Sequence, residues 1–200
     1  MPAIVDHDKR REQVASVAYD LVAEMGIEAV TFRQVAGAAG SSTAIVSNYF
    51  ENKGHLLHEV YRIANRRVMD RLQVAFEQDE DLVDCLSVVL PVTEENRRTW
   101  HVWLAFWGRA HCDGTYREET ARNAGESVGL YYRMLARRYG VDEAKRDPQV
   151  ETLARRLVAT VGGVALQCVL APDDWPLSRL REIIADEIAT LDAAFAQRSA

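Results

Sequence analysis

The chain has 200 residues, 48% of them apolar, and a formal net charge of −6. That length fits one medium domain or a small domain joined to a larger one, and the apolar share is enough for a real core. No run of about 18 apolar residues is uninterrupted, which argues against a membrane span. The opening MPAIVDHDKRRE also lacks the apolar stretch of a secretory signal. Cys85, Cys112 and Cys168 lie far apart with no metal-type spacing. Free thiols in a reducing cytoplasm are therefore expected, with no metal and no cofactor.

The chain reads as all-α, because no useful alternating strand pattern appears and helical periodicity dominates. The first predicted helix covers about 8–25. Its apolar residues Val14, Val17, Ala18, Leu21, Val22 and Met25 recur at three- and four-residue spacing and form one stripe. Asp6 or Asp8 can cap its start, and Gly26 can end it in a left-handed conformation. A second helix begins at Thr31, which with Gln34 matches a capping box, and stops near Ala39–Gly40. A third covers 43–49 with Ser42 as its N-cap. Asn52 caps a fourth that runs to about 77. Further helices are expected at 80–90, 94–111, 115–139, 148–171 and 176–197, broken at Pro91, Asp113–Gly114, Gly140 and Pro172.

The stretch TFRQVAGAAGSSTAIVSNYFENKGHL carries the strongest functional signal. A helix-turn-helix needs two short helices crossing steeply across a tight turn. Ala36 and Ala39 are small where such helices approach, and Gly40 supplies the turn. Phe32, Val35, Val46 and Phe50 are spaced to fill a small core with the first helix. Thr43, Ala44, Ser47, Asn48 and Tyr49 are then left to face outward. Asn pairs in bidentate fashion with adenine, Ser and Thr serve several bases, and Ala or Tyr can meet a thymine methyl. Ser42 and Lys53 start helices, where free amides and a cation suit phosphate. Lys9, Arg10, Arg11 and Arg33 add positive charge near by. The negative total therefore does not exclude DNA, since a few phosphate contacts per subunit suffice.

On Gly26, Thr31, Val35–Ala36, Ala39–Gly40, Ser42, Tyr49–Phe50 and Lys53, with their spacing, the sequence resembles the TetR family of transcription regulators. WLAFW (Trp103–Trp107), His111 and Tyr116–Arg117 resemble its BetI-type subgroup, as does AGSSTAIVSNYF. The resemblance implies a repressor: a DNA-binding domain at 1–52 and a helical ligand-sensing and dimerisation domain at 53–200. It implies double-stranded operator DNA, a small-molecule effector and a second copy of the chain as partners, with no membrane.

Trp100, Trp103 and Trp107 stand at i, i+3 and i+7 on one helix face, with His111 following. Indoles facing a cavity can hold a quaternary ammonium by cation–π attraction, or any flat apolar ligand. The same rings can instead pack a core. Where the BetI-type pattern has Asp-Gly-Leu-Trp, this chain reads Gly162-Gly163-Val164-Ala165, so a carboxylate and an aromatic are missing; Glu94 and Glu95 are the available substitutes. Gly162 and Gly163 permit close helix approach. Leu180, Ile183, Ile184, Ile188, Leu191 and Phe195 form an apolar stripe. Both features are expected at a dimer interface, with burial inside one chain as the alternative for the stripe.

His111-Cys112-Asp113 is discounted as catalytic, because adjacent helical residues diverge by about 100°. His55 and His58 share a face, but no ligand cluster completes a metal site. No enzymatic activity is expected. The competing reading is an all-α ligand carrier or small enzyme that uses the Trp-lined face without binding DNA.

Overall fold

A computed structural model of the chain describes residues 7–199, with side chains through residue 197. Among these residues there are nine α-helices and no strand. They are α1 (His7–Ala29), α2 (Phe32–Ala38), α3 (Thr43–Tyr49), α4 (Lys53–Glu77), α5 (Leu82–Ser87), α6 (Glu94–Ala110), α7 (Gly114–Tyr139), α8 (Pro148–Leu170) and α9 (Leu177–Ser199). Two single 3-10 turns, Glu143–Lys145 and Pro172–Asp174, complete the described elements.

The local signals explain most of these boundaries. Gly26 sits at φ 79 and ψ 165, a conformation that side chains with a Cβ avoid, and it kinks α1. The stop predicted there is present, although ψ is extended and not left-handed helical. The possible cap Asp6 lies outside the described residues, and Asp8 lies within the first turn of α1. Thr31 and Gln34 form the reciprocal capping box at α2. Gly40 supplies the turn at φ 59. Ser42 Oγ accepts the Ile45 N–H at α3, and Asn52 Oδ1 accepts the His55 N–H at α4. The fifth helix is shorter than the predicted 80–90. Asp81 caps it late, and beyond Ser87 the bonds tighten to i→i+3 at Val88, Val89 and Leu90, ahead of Pro91.

Two compact units result. One comprises the described residues up to Arg67 together with Arg98–Thr120; the other comprises Val68–Arg97 and the chain from Ala121 onward. This grouping differs from a division at 52/53. The core of the first unit runs from Ala18 and Val22 through Val35, Val46 and Phe50 to Leu56 and Val60 of α4 and Phe106 of α6. The first half of α4 and most of α6 are thus built into the N-terminal body.

In the second unit α8 packs on α9, and α5 also meets α9. This corrects the expected use of the α9 stripe. Leu180, Ile184, Ile188 and Leu191 are buried within the single chain, Ile184 and Leu191 completely. Their 4-4-3 spacing marks one helix face, and that face meets Leu153, Leu157, Val161 and their neighbours in the chain's own core. Helix α8 is the one described helix long and apolar enough to cross a membrane by length and composition, which the uninterrupted-run criterion did not show. Its Leu153, Ala154, Leu157, Val161 and Ala165 lie in the core, while Arg156 pairs with Glu187 on α9.

Candidate nucleic-acid interface and effector site

Helix α3 is held from one side only. Val46 and the C-cap residue Phe50 are fully buried, whereas Thr43, Ala44, Ser47 and Asn48 are exposed and Tyr49 is half-buried. The seven-residue helix thus anchors on an apolar edge and presents a short polar face with small residues at its start. His7 meets the Tyr49 ring edge-on at 6.1 Å, so α1 steadies the end of α3. Ser42, exposed, spends its hydroxyl on the cap.

The cations separate into two groups. Arg33 is exposed on α2. Lys53 donates to the Glu28 carbonyl at 3.0 Å, which ties the start of α4 to the end of α1. An ammonium has three donors, so two remain for a phosphate. Arg11 is turned inward: it pairs with Glu59 at 2.9 Å and lies 5.5 Å over the Phe50 ring. Arg62 and Arg66 also reach Glu59, at 3.6 and 3.7 Å. A buried carboxylate has thereby gathered three guanidinium groups, and Arg11 serves the fold.

On α6 the three indoles do form one cluster. Trp100 meets Trp103 edge-on at 5.1 Å and Trp107 at 5.8 Å, while Trp103 and Trp107 lie nearly parallel at 6.2 Å. Trp100 is buried, Trp103 half-buried and Trp107 is 38% exposed, so the cluster runs from core to surface. His111 is exposed on the turn after α6, and its carbonyl accepts from Arg117. The ring contacts among the described residues do not extend to it. Glu94 and Glu95 are exposed and pair with Arg97 and Arg71.

Polar residues that the sequence reading missed adjoin the indoles. The Trp107 N–H donates to the Tyr61 hydroxyl at 3.2 Å, and Phe106 stacks on the Tyr61 ring at 4.6 Å. Burial pushes the Tyr61 hydroxyl above its ordinary pKa, and Trp107, Thr120 and Asn65 pull it back. Asn65 follows Tyr61 by one helical turn, so both share a face of α4. That i,i+4 pair was visible in the sequence, but nothing there linked it to α6.

Helix α6 is also clamped to α1. The Tyr19 and Thr99 hydroxyls share a buried hydrogen bond of 2.8 Å. Arg98 pairs with Asp20 and Glu24, and Arg109 with Glu28. Glu28 therefore holds α6 through its carboxylate and Lys53 of α4 through its carbonyl. Asp113 caps α7 by accepting the Thr115 N–H at 3.0 Å, a structural task for that member of the His-Cys-Asp run.

In the second unit Gly162 is half-buried and Gly163 exposed on α8. The outward residues of α8 and α9 include Ala159, Leu170, Leu177, Ala185, Ala189 and Ala193, with Leu170 68% and Leu177 42% exposed.

Comparison with known proteins places these features in a family. Residues 78–193 match the C-terminal domain of BetI-type transcriptional repressors, and residues 15–60 match the bacterial regulatory proteins of the tetR family. The HTH-type transcriptional regulator PksA of Bacillus subtilis is 27% identical over 198 residues, covering 96% of this chain and 94% of its own length. The HTH-type regulator BetI of Escherichia coli is 26% identical over 204 residues, covering 95% and 100%. Among solved structures, a transcriptional regulator from a Rhodococcus species superimposes with a TM-score of 0.76 at 28% identity, over 90% of this chain and 95% of its own. A regulator from Saccharomonospora viridis in complex with choline shares the fold, with a TM-score of 0.73 at 24% identity over 91% and 96%. The chain belongs to the TetR family, as a DNA-binding transcriptional regulator with the C-terminal domain of the BetI-type repressors.

Proposed function

We propose that the protein is a homodimeric, ligand-responsive repressor that binds a palindromic operator through α3 and releases it when a small organic effector binds beside the α6 indoles. The observation that carries the reading is the exposed face of α3, with Thr43, Ala44, Ser47 and Asn48 outward and Val46 and Phe50 buried. Packing alone does not call for that polar set. Arg33 and the spare donors of Lys53 add phosphate contacts, which fix register without reading sequence. Such a protein works in the cytoplasm, where its DNA is.

The dimer surface assigned here is the outward face of α8 and α9. Ala159, Gly162, Gly163 and Leu170 on α8 and Ala185, Ala189 and Ala193 on α9 are small or apolar and allow close approach to the same face of a second copy. Ile184, Ile188 and Leu191 support this face from inside the chain. A two-fold dimer sets two recognition helices about 34–36 Å apart, one turn of DNA.

The effector is choline-like or another small apolar molecule. Aromatic rings attract quaternary ammonium groups, and a structural neighbour is a choline complex. Release is carried by α6 as well as α4, because α6 is tied to α1 at Tyr19, Asp20, Glu24 and Glu28 and the Glu28 carbonyl holds Lys53. A shift of α6 is thus passed directly to the elements that seat α3. The test is a mobility shift with DNA from upstream of the protein's own gene, with and without choline. Sequence-specific binding that Asn48→Ala abolishes supports the reading; a protein that prefers no duplex overturns it.

A further inference from the structure

The polar atoms beside the indoles are mismatched in kind. Asn65 Nδ2, Trp103 Nε1 and Thr120 Oγ are buried without a hydrogen-bond partner. The first two can only donate, and the third can do either. Tyr61 already accepts from Trp107, which leaves its own proton to give. Tyr61 and Asn65 share one face of α4, Trp103 and Trp107 one face of α6, and Thr120 and Asn65 both act on the Tyr61 hydroxyl. The donors therefore gather in one region, walled by two near-parallel indoles and open to solvent at the edge of Trp107.

Buried polar groups in folded proteins are paired as a rule, and a surplus of one kind calls for the complementary kind. Choline or another quaternary ammonium brings a positive charge and at most one hydroxyl, and leaves most of these donors unmet. A carboxylate would meet them, but Glu119 places a negative charge close enough to push the Tyr61 hydroxyl up, and none of the groups facing Tyr61 is a cation.

We infer that the α4–α6–α7 donor cluster binds an uncharged planar arene through a carbonyl oxygen, and that this class of molecule is the effector. The inference rests on the indole cluster being the effector site. The carbonyl accepts from Asn65, Trp103 and the Tyr61 proton, and the ring lies against the indole faces.

Isothermal titration of the full-length protein with three matched probes tests this: methyl naphthyl ketone, naphthoate and naphthylmethyl-trimethylammonium. The ketone is expected to bind at least about tenfold more tightly than either charged probe. Asn65→Leu and Trp103→Phe each remove an N–H while keeping size and apolarity, and each is expected to narrow the gap between ketone and ammonium. The comparison of probes on the wild-type protein stands even where a variant folds poorly. If the ammonium or the naphthoate binds most tightly and Trp107→Ala abolishes its binding, the ligand class is overturned and the site is retained. If no probe binds, or Trp107→Ala changes nothing, both the class and the site are overturned.

Discussion

Asn48 is the side chain on which sequence discrimination turns. It is exposed on the outward face of α3, and its amide is the group that pairs two ways with adenine. Asn48→Ala is expected to cost about 1–3 kcal/mol on the operator and to relax specificity at one base pair. Lys53→Ala is expected to weaken binding to every duplex and to reduce the salt slope by about one per subunit. A titration of both variants at several salt concentrations separates the two roles. A different residue-level test concerns acid. Arg138 donates twice to Asp192, at 2.9 and 2.7 Å, and holds its carboxyl below the usual value of 3.8. The folded pKa is depressed, so the stabilisation is complete above the unfolded value and is lost as pH falls through the folded one. Both groups are more than a third exposed, which screens the pair to at most about 1 kcal/mol. Asp192→Asn should lower the melting temperature at neutral pH and leave it unchanged in strong acid. At this scale the sequence was a good guide to α3, where outward and inward residues alternate within one short helix. It missed Tyr61, Asn65 and Thr120, because their meeting with Trp107 depends on how three distant helices pack. It also offered Arg11 no sign that Glu59, 48 residues away, would take it.

Among the elements, helix existence was legible almost throughout, because caps and breakers act locally: Thr31 with Gln34, Ser42, Asn52, Gly40 and Pro91 each do what their chemistry allows at short range. What a helix face packs against was not legible. The stripe from Leu180 to Leu191 correctly marked a buried face, but periodicity cannot say whether the cover comes from the same chain or from another copy. The structure covers it with α8, so two substitutions that would be equivalent on an exposed stripe now differ. Ile184→Glu places an unpaired charge in the chain's own core and is expected to cost about 4 kcal/mol or more, unfolding the protein. Ala189→Glu, on the outward face, is expected to leave each chain folded and to separate the dimer. Circular dichroism with sedimentation velocity checks both; a folded monomer from Ile184→Glu would contradict this assignment. The ties of α6 to α1 give a further expectation. Arg109→Ala removes the hold on Glu28 and should leave operator affinity nearly intact while reducing its response to effector. The full response is typically worth about 1–3 kcal/mol, or 5–150-fold, and operator titrations with and without effector measure it.

For the whole molecule, net charge is a poor guide to partner. The total of −6 belongs to the chain, whereas the face offered to DNA is a single short helix flanked by Arg33 and Lys53. Doubling that face in a two-fold dimer is what makes so small a surface sufficient, since each protomer reads only half a site. Domain organisation follows the same economy: the first half of α4 and the indole-bearing part of α6 share one core with the helix-turn-helix, so the proposed effector site and the DNA face belong to one compact body. The most direct measurement is fluorescence anisotropy of a labelled duplex from upstream of the protein's own gene, titrated with the wild-type protein and Asn48→Ala at fixed salt. One dimer per duplex is predicted to bind with a Kd of about 10⁻⁸ M or tighter, far more tightly than a scrambled duplex, with the Asn48→Ala protein at least about fivefold weaker. Equal affinity of the wild-type protein for the operator and the scrambled duplex, or an Asn48→Ala curve that overlays the wild type, would contradict the assignment of α3 as the reading helix of a repressor.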